Sequence, residues 1–597
     1  MIALPTPIRV WRASACVALA LALALALATD AASQQDSLEM DVTFVGNRQM
    51  EVRDAVKLSS WPSARPLATE KPTLSYELLA KRINVVPTMT PVEATRLRVD
   101  ETLPRLYRGY LRAGTGTRGT TYLDASFTDL RSREGSWGTS VHHLGTSSPS
   151  RLLTGRVQEH SAQLWGTRFL GKEKVDAQAT FGSDKVLLYG LDSAFADTAF
   201  APLEASFVRW SSLDTRLHLK SHAKDSTALN HEVGVRFGAL TNSWGARETT
   251  VRTDLSAHTY RGAERLTLEV GFQLDNYGVD TTAMQSQAIV RVMPGIETRR
   301  GPLTASAGVR LAIDGDAPTR TDVGQSLFLY PHAEVRVNLL RNLFVPYAKL
   351  GGDLHANSFH DLRGVNPFFA PTSLANTSYK WDDQTDLLDT LHLDGFRSTN
   401  KRLALAAGVR GTVTQVFRFH AYASTAQYED MLLFQPMVMD SVTEYVAVYD
   451  TVSVQTLGGE AEFHLGTAWS FRGGMAVHAY TLRHEDRPWH LPSLEWNAAV
   501  TYRLIDGLTL GVDAQFLGER FALTNNASYA ETTALGNNLY ELRLPAFVDL
   551  NLRADYRYND RMGAWLTLAN LTNSKYALWG GSPVQGFQAL AGVNFAF

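Results

Sequence analysis

The groups in this chain that could bind a metal or carry nucleophilic or acid–base chemistry are 16 histidines, 60 carboxylates and one cysteine, spread over 597 residues. A nucleophile needs a base within hydrogen-bond reach, and a metal needs several donors converging on one point. No GxSxG, HExxH, Cys/His cluster or P-loop is present. The adjacent pair His142-His143 would point to opposite faces of a strand, which makes a poor metal site. Asp382-Asp383 reads as solvated surface charge. Neither an enzyme nor a cofactor is expected. What the charged residues do show is period. Arg265, Glu269, Arg402, Arg410, Arg418, Asp513, Asp549, Arg553 and Asp555 each stand on the polar side of an alternating run. Charges of both signs on one face suit the lining of an aqueous lumen, and their mixture selects no solute class.

The runs that carry these charges are long strands. In residues 508–516 the apolar side is Leu508, Leu510, Val512, Ala514 and Phe516, and the other side is Thr509, Gly511, Asp513 and Gln515. Residues 546–558 repeat the pattern, with Val548, Leu550 and Leu552 opposed by Asp549, Asn551 and Arg553. Residues 265–274, 402–410 and 417–424 read the same way. A helical period would scatter the charges over the apolar face, so strand is preferred. Strands near ten residues exceed the soluble norm of about five or six and match what a tilted strand needs to cross a bilayer. A sandwich of this length would require several domains with linkers, and a propeller would show a repeat of about 40 to 50 residues; neither is visible.

Turn length alternates too. Tight connections fall near residues 559–561, 505–507, 466–468, 412–415, 340–342, 299–302 and 261–264. Longer ones fall at 578–583, 519–544, 483–492, 428–449, 355–399, 314–324 and 276–285. Short periplasmic turns and long outer loops are the mark of an outer-membrane barrel. The expected fold is therefore all-β, a transmembrane antiparallel β-barrel of about 22 strands over residues 106–597, with both ends on the periplasmic side. Tyr502, Tyr556, Tyr558, Trp469, Trp565 and Phe597, beside the short turns, are candidate girdle residues at the membrane interface.

Composition agrees. The chain is 45% hydrophobic and 20% charged with a net charge of −3, which gives no polybasic surface for nucleic acid. A mean hydropathy of −0.14 excludes a polytopic helical membrane protein. The one long apolar run, residues 13–28, follows Arg9 and Arg12 and ends in small residues, so residues 1–32 read as a secretory signal peptide carrying the sole cysteine, Cys16. Residues 33–105 hold Pro62, Pro66, Pro72, Pro87, Pro91 and Pro104, spaced against both helix and sheet, and read as an extended periplasmic arm.

The C-terminal segment, residues 547–597, resembles the end of a TonB-dependent outer-membrane receptor: a penultimate strand closing in Asn570-Leu571-Thr572-Asn573, Tyr576 shortly after, and a last strand ending in Phe595 and Phe597. The resemblance implies a barrel of receptor size in the outer membrane of a Gram-negative bacterium. It also implies that the terminal aromatics are the signal read by the insertion machinery. Receptors of this kind carry a plug of on the order of 130 residues ahead of the barrel. The arm is too short for one, so the resemblance is to a plugless member. Residues 355–399, with Phe359, Phe368, Phe369 and Trp381, form a loop too apolar to stand free in water, and an occluding role is expected. The expected partners are outer-membrane lipids, the insertion machinery and, through the arm, a periplasmic or outer-membrane protein. The expected function is solute transport across the outer membrane. The alternative is a non-transporting scaffold or assembly subunit of an outer-membrane complex.

Overall fold

A computed structural model describes residues 106–129, 134–147, 156–187, 207–221, 228–279, 284–315, 327–369, 396–414, 416–439, 442–524, 532–536, 539–580 and 582–597. The expected signal peptide (1–32), the proline-rich arm (33–105) and Trp381 lie outside the described residues.

The strands are β1 (Gly109–Gly116), β2 (Thr120–Thr128), β3 (Gly135–Gly145), β4 (Arg156–Leu170), β5 (Glu173–Leu187), β6 (Phe207–Ser221), β7 (Asn230–Asn242), β8 (Ala246–Arg261), β9 (Glu264–Val279), β10 (Gln285–Arg300) and β11 (Leu303–Asp314). They continue as β12 (Leu327–Val337), β13 (Val345–His355), β14 (Thr399–Val413), β15 (Phe417–Met439), β16 (Val442–Leu465), β17 (Trp469–Leu482), β18 (Leu494–Ile505) and β19 (Leu508–Leu517). After β19 come β20 (Arg520–Thr524), β21 (Thr532–Gly536), β22 (Leu539–Leu544), β23 (Phe547–Arg557), β24 (Met562–Ala569), β25 (Ala577–Trp579), β26 (Ser582–Pro583) and β27 (Gln588–Ala596). One 22-stranded antiparallel sheet takes β1–β19, β23, β24 and β27, and it closes because β1 pairs with β27 as well as β2. The seam is completed by Gly109 and Phe597, which exchange both backbone hydrogen bonds at 2.8 and 2.9 Å. The first strand begins at Gly109, three residues inside the expected start at Leu106.

Alternation dictates this closure. One parity of each strand carries Leu164, Phe181, Leu217, Leu268, Phe272, Leu329 and Leu457, all exposed on the outer face. In water such a surface would aggregate; in a bilayer it meets its own solvent. The other parity carries the polar residues and looks inward. At the short-turn end, Trp469 stacks on Tyr502 with centroids 3.9 Å apart, and Tyr556, Tyr558 and Phe597 are exposed, as a girdle requires.

Two readings of the sequence need correction. Trp565 is not a girdle residue. It is buried in the lumen wall, between Gly592 on β27 and Asp555 on β23, and its indole lies edge-on to Tyr122 and under the Arg112 guanidinium. The slot exists because Gly114 and Gly592 lack side chains: a Cβ on either would stand 2.5 or 2.7 Å from the indole. Residues 428–449 are not a loop either. Residues 428–439 and 442–449 are the long ends of β15 and β16, which project beyond the neighbouring strands. A bulge between Tyr428 and Met431 inserts one extra residue, with Asp430 at φ 50°, and so reverses the apolar parity.

Filling the Trp565 slot should be costly. Gly114→Val is expected to destabilise the barrel by about 2–3 kcal/mol, read as a lowered midpoint in the temperature at which the folded band converts to the unfolded band on a semi-native gel. Gly166→Val, also in a strand but with ordinary spacing of 3.7 and 3.8 Å around its Cβ, provides the control without the clash.

Candidate functional site

The candidate site is the lumen and the long-loop mouth above it. The register places Arg265 and Glu269 on the β9 face that also carries Gln273, Asp275 and Tyr277. Arg265 lies 3.7 Å from Glu297, which in turn lies 3.7 Å from Arg336. Glu269 is exposed on the same face. Arg402 pairs with Glu429 at 2.9 Å, Arg410 sits over the Tyr347 ring, and Arg418 and Arg472 share Glu462 at 3.4 and 3.6 Å. Asp513 pairs with Arg553 at 2.6 Å, and Asp555 with Arg112 at 3.2 Å. The charges of the wall are thus largely matched across neighbouring strands. Between β15 and β19 the wall hollows into a recess of about 490 Å³ lined by Arg418, His420, Glu460, Arg472, Asn497 and Gln515. Asp549 stands apart from the other charged residues. It is buried near the mouth, where it accepts the Tyr576 hydroxyl beneath the stacked Phe547 and Tyr576 rings.

The mouth is built by the connection from β13 to β14. Its first part forms helix α1 (Phe359–Val365), started by Ser358, whose side chain accepts the Asp361 amide at 3.2 Å. The helix lies against the inner face of β5 to β8. Arg363 donates to Asp184 at 2.6 Å, Arg252 to Asp361 at 2.8 Å, and the His360 amide to Glu248 at 2.9 Å, while Arg236 stands 3.4 Å from the His360 ring. Burial together with Arg236 and Arg363 pushes the His360 imidazole below its ordinary range. Burial would raise the Asp361 carboxyl, but Arg252 and the Ser358 hydroxyl hold it below the usual carboxylate range. The far stem of the connection is pinned by the Phe396 amide to the Tyr277 hydroxyl at 2.8 Å and by Gln287 to Ser398 at 2.6 Å.

Above this polar layer lies an apolar one. Phe359, Leu362, Phe368, Phe369 and Phe396 pack with Trp210 and Tyr277 of the near wall, with Phe434 and Tyr445 of β15 and β16, and with Trp579 of β25. Rings run in contact from Phe369 to Phe434 at 6.0 Å and from Phe434 to Trp579 at 5.3 Å. Trp210 on β6 and Tyr277 on β9 lie six to ten strands from β15 and β16 in the 22-strand ring, so the cluster reaches across the mouth. A second piece of the mouth is the sheet of β20, β22 and β21, tied to β25 by buried Arg520, whose guanidinium donates to the Ala577 and Leu578 carbonyls at 2.7 and 2.8 Å. His490 is enclosed by Tyr445 and Trp579, its Nε2 accepts the Gly580 amide at 3.4 Å, and burial beside Arg520 pushes its pKa down to about 3.

Sequence reasoning named Phe359, Phe368 and Phe369, and the structure brings them together. It missed Trp210, Tyr277, Phe434, Tyr445 and Trp579. Trp210 and Tyr277 carried a signal: large aromatics at the inward parity near the outer ends of strands. His143 stacks on His160 across β3 and β4 with centroids 4.6 Å apart. Among the described residues no group of three or more His, Cys, Asp or Glu is placed to hold a metal. Phe595 and Phe597 stack at 5.9 Å on the outer face at the seam.

No protein-family model matches the chain, and no curated protein matches it. Solved structures do. The FrpB iron transporter from Neisseria meningitidis is similar at 12% identity and a TM-score of 0.61, over 83% of this chain and 82% of that one. The siderophore receptor PirA from Acinetobacter baumannii is similar at 9% and 0.60, over 83% and 81%. The ferric-catecholate import receptor Fiu from K12 E. coli is similar at 11% and 0.56, over 83% and 82%. At such identities the likeness shows the fold: a closed barrel of the architecture that those structures share.

Two outcomes follow for the mouth. Arg363→Ala leaves the buried Asp184 with only Arg156, 3.5 Å away, and should free α1 by about 3 kcal/mol, seen as faster hydrogen exchange across residues 359–365 with the barrel strands unchanged. For His490 the folded pKa of about 3 lies below its ordinary 6.5, so protonation opposes the packed state. The packing is intact above pH 6.5 and weakens as the pH falls toward 3, by about 1.4 kcal/mol per unit. Exchange over residues 484–492, corrected for intrinsic rate, should rise on going from pH 7 to pH 5, and His490→Gln should flatten that dependence.

Proposed function

We propose that this barrel carries polar solutes across the outer membrane, and that the two stems of the β13–β14 connection, residues 356–369 and 396–398, rather than a separate plug, close its mouth. The observation that carries the reading is the apolar cluster bridging the mouth over a charge-lined lumen. A lumen of this size without a closing element would pass small solutes freely. An aromatic layer held down by ion pairs closes it without a continuous covalent wall, and it opens when α1 leaves β5 to β8. The roles named for FrpB (iron transporter), PirA (siderophore receptor) and Fiu (ferric-catecholate import receptor) support transport as the class of function. In this reading the arm, residues 33–105, remains in the periplasm as the contact for a partner protein, and Phe595 and Phe597 present the last strand to the insertion machinery.

Planar-bilayer recording tests it. The full chain should insert without steady conductance, and replacing residues 359–396 by a short Gly/Ser linker should produce open channels, with gel mobility confirming that the variant folds. A steady conductance of nanosiemens from the unaltered chain would overturn the closure.

A further inference from the structure

The outer face carries a feature that neither the transport reading nor the lid uses. Near the long-loop end Lys185 of β5 stands directly opposite Arg209 of β6 in the ladder. Both have the outward parity, since their neighbours Asp184 and Trp210 face inward against Arg363 and the aromatic cluster. Side chains directly opposite on an antiparallel pair lie about 4.5–5.5 Å apart at Cβ, and two like charges there repel.

No carboxylate relieves them among the described residues of this row. Gln158 lies opposite Lys185 on β4, and Ser243 donates its amide to Arg209. The nearest acids along the two strands, Asp184 and Asp214, project inward and are taken by Arg363 and Arg236. The short-turn end is different: there outward Arg300 is met by outward Glu264 at 3.4 Å.

The height of the pair selects its surroundings. Following each strand into the membrane, Lys185 leads through Ser183 to exposed Phe181, and Arg209 through Ser211 to exposed Leu213. Four residues at about 3.3 Å each, tilted by about 40°, set the cations roughly 10 Å above those apolar side chains. That is the headgroup layer of the outer leaflet. Lys185 is steadied there by the Phe207 ring, 3.8 Å from its ammonium, and Arg209 is exposed.

We infer that Lys185 and Arg209 form a docking site for one phosphate group of the phosphorylated glycolipid of the outer leaflet. The guanidinium takes two phosphate oxygens as a fork and the ammonium takes a third, while the acyl chains lie on Phe181 and Leu213. An anion between the two cations turns a repelling cross-strand pair into an attracting triad. The partner is a lipid because the site opens sideways into the leaflet, and it is the glycolipid because this is the long-loop, outer end.

Native mass spectrometry of the full chain in detergent, titrated with bisphosphorylated lipid A, phosphate-free lipid A and phosphatidylglycerol, tests the assignment. The bisphosphorylated form should bind at least tenfold more tightly than either of the others. The double variant Lys185→Glu/Arg209→Glu should fall to the phosphate-free level while keeping its folded gel mobility, and the milder Lys185→Gln/Arg209→Gln should fall between. Equal binding of the phosphate-free form, unchanged binding by the double variants, or equal binding of phosphatidylglycerol would each overturn it.

Discussion

Everything in this molecule rests on one constraint: inside hydrocarbon there is no water to satisfy a backbone N–H or C=O, so every strand needs a neighbour on both sides. Twenty-two strands meet it only because β27 returns to β1, and the seam is finished by the last residue of the chain, Phe597, bonded to Gly109. Once the ladder closes, side chains have two destinations. The outward parity must suit lipid, and the inward parity must suit whatever fills the lumen. The long runs of strict alternation are the direct imprint of that division on the sequence.

Closure creates the problem that the mouth then addresses. A ring of this size surrounds more space than its own inward side chains occupy. The matched charges of the wall, such as Arg265 with Glu297 and Asp513 with Arg553, fold back on neighbouring strands. Only a long connection can reach across. The β13–β14 connection does so with two kinds of contact. Ion pairs such as Arg363 with Asp184 set where α1 lies, because they are directional and their partners are fixed in the wall. The aromatic layer supplies area without direction and so tolerates the distance to Phe434 and Trp579 on the other side.

The barrel was legible in the sequence wherever lipid lay on one side and water on the other, as in residues 508–516 and 547–557. It became illegible where that contrast was interrupted. The bulge before Met431 shifts the apolar parity by one residue, and a period-two reading then takes the projecting ends of β15 and β16 for a loop. Trp565 was misplaced because its nearness to a short turn was weighed and its parity was not; Gly114 and Gly592, which make its slot, belong to the first and last strands and meet only on closure. The apolar character of Phe359, Phe368 and Phe369 was plain. Their cluster partner Trp579 was not, because no local pattern announces a shared cluster for positions about 210 residues apart.

The outer ends of β5 and β6 show how closely the two faces are tied. Asp184 and Lys185 are consecutive, as are Arg209 and Trp210, and in each pair one member looks inward and the other outward. The backbone of these four residues is locked in the closed ladder, so neither face can be moved without the other. Asp184 and Trp210, which hold α1 and the aromatic cluster, are therefore tied through the backbone to Lys185 and Arg209 on the outer face. A rigid wall of this kind leaves variation to side chains and loops alone. That is why a barrel can keep its fold at about one identical residue in ten to the solved structures it resembles.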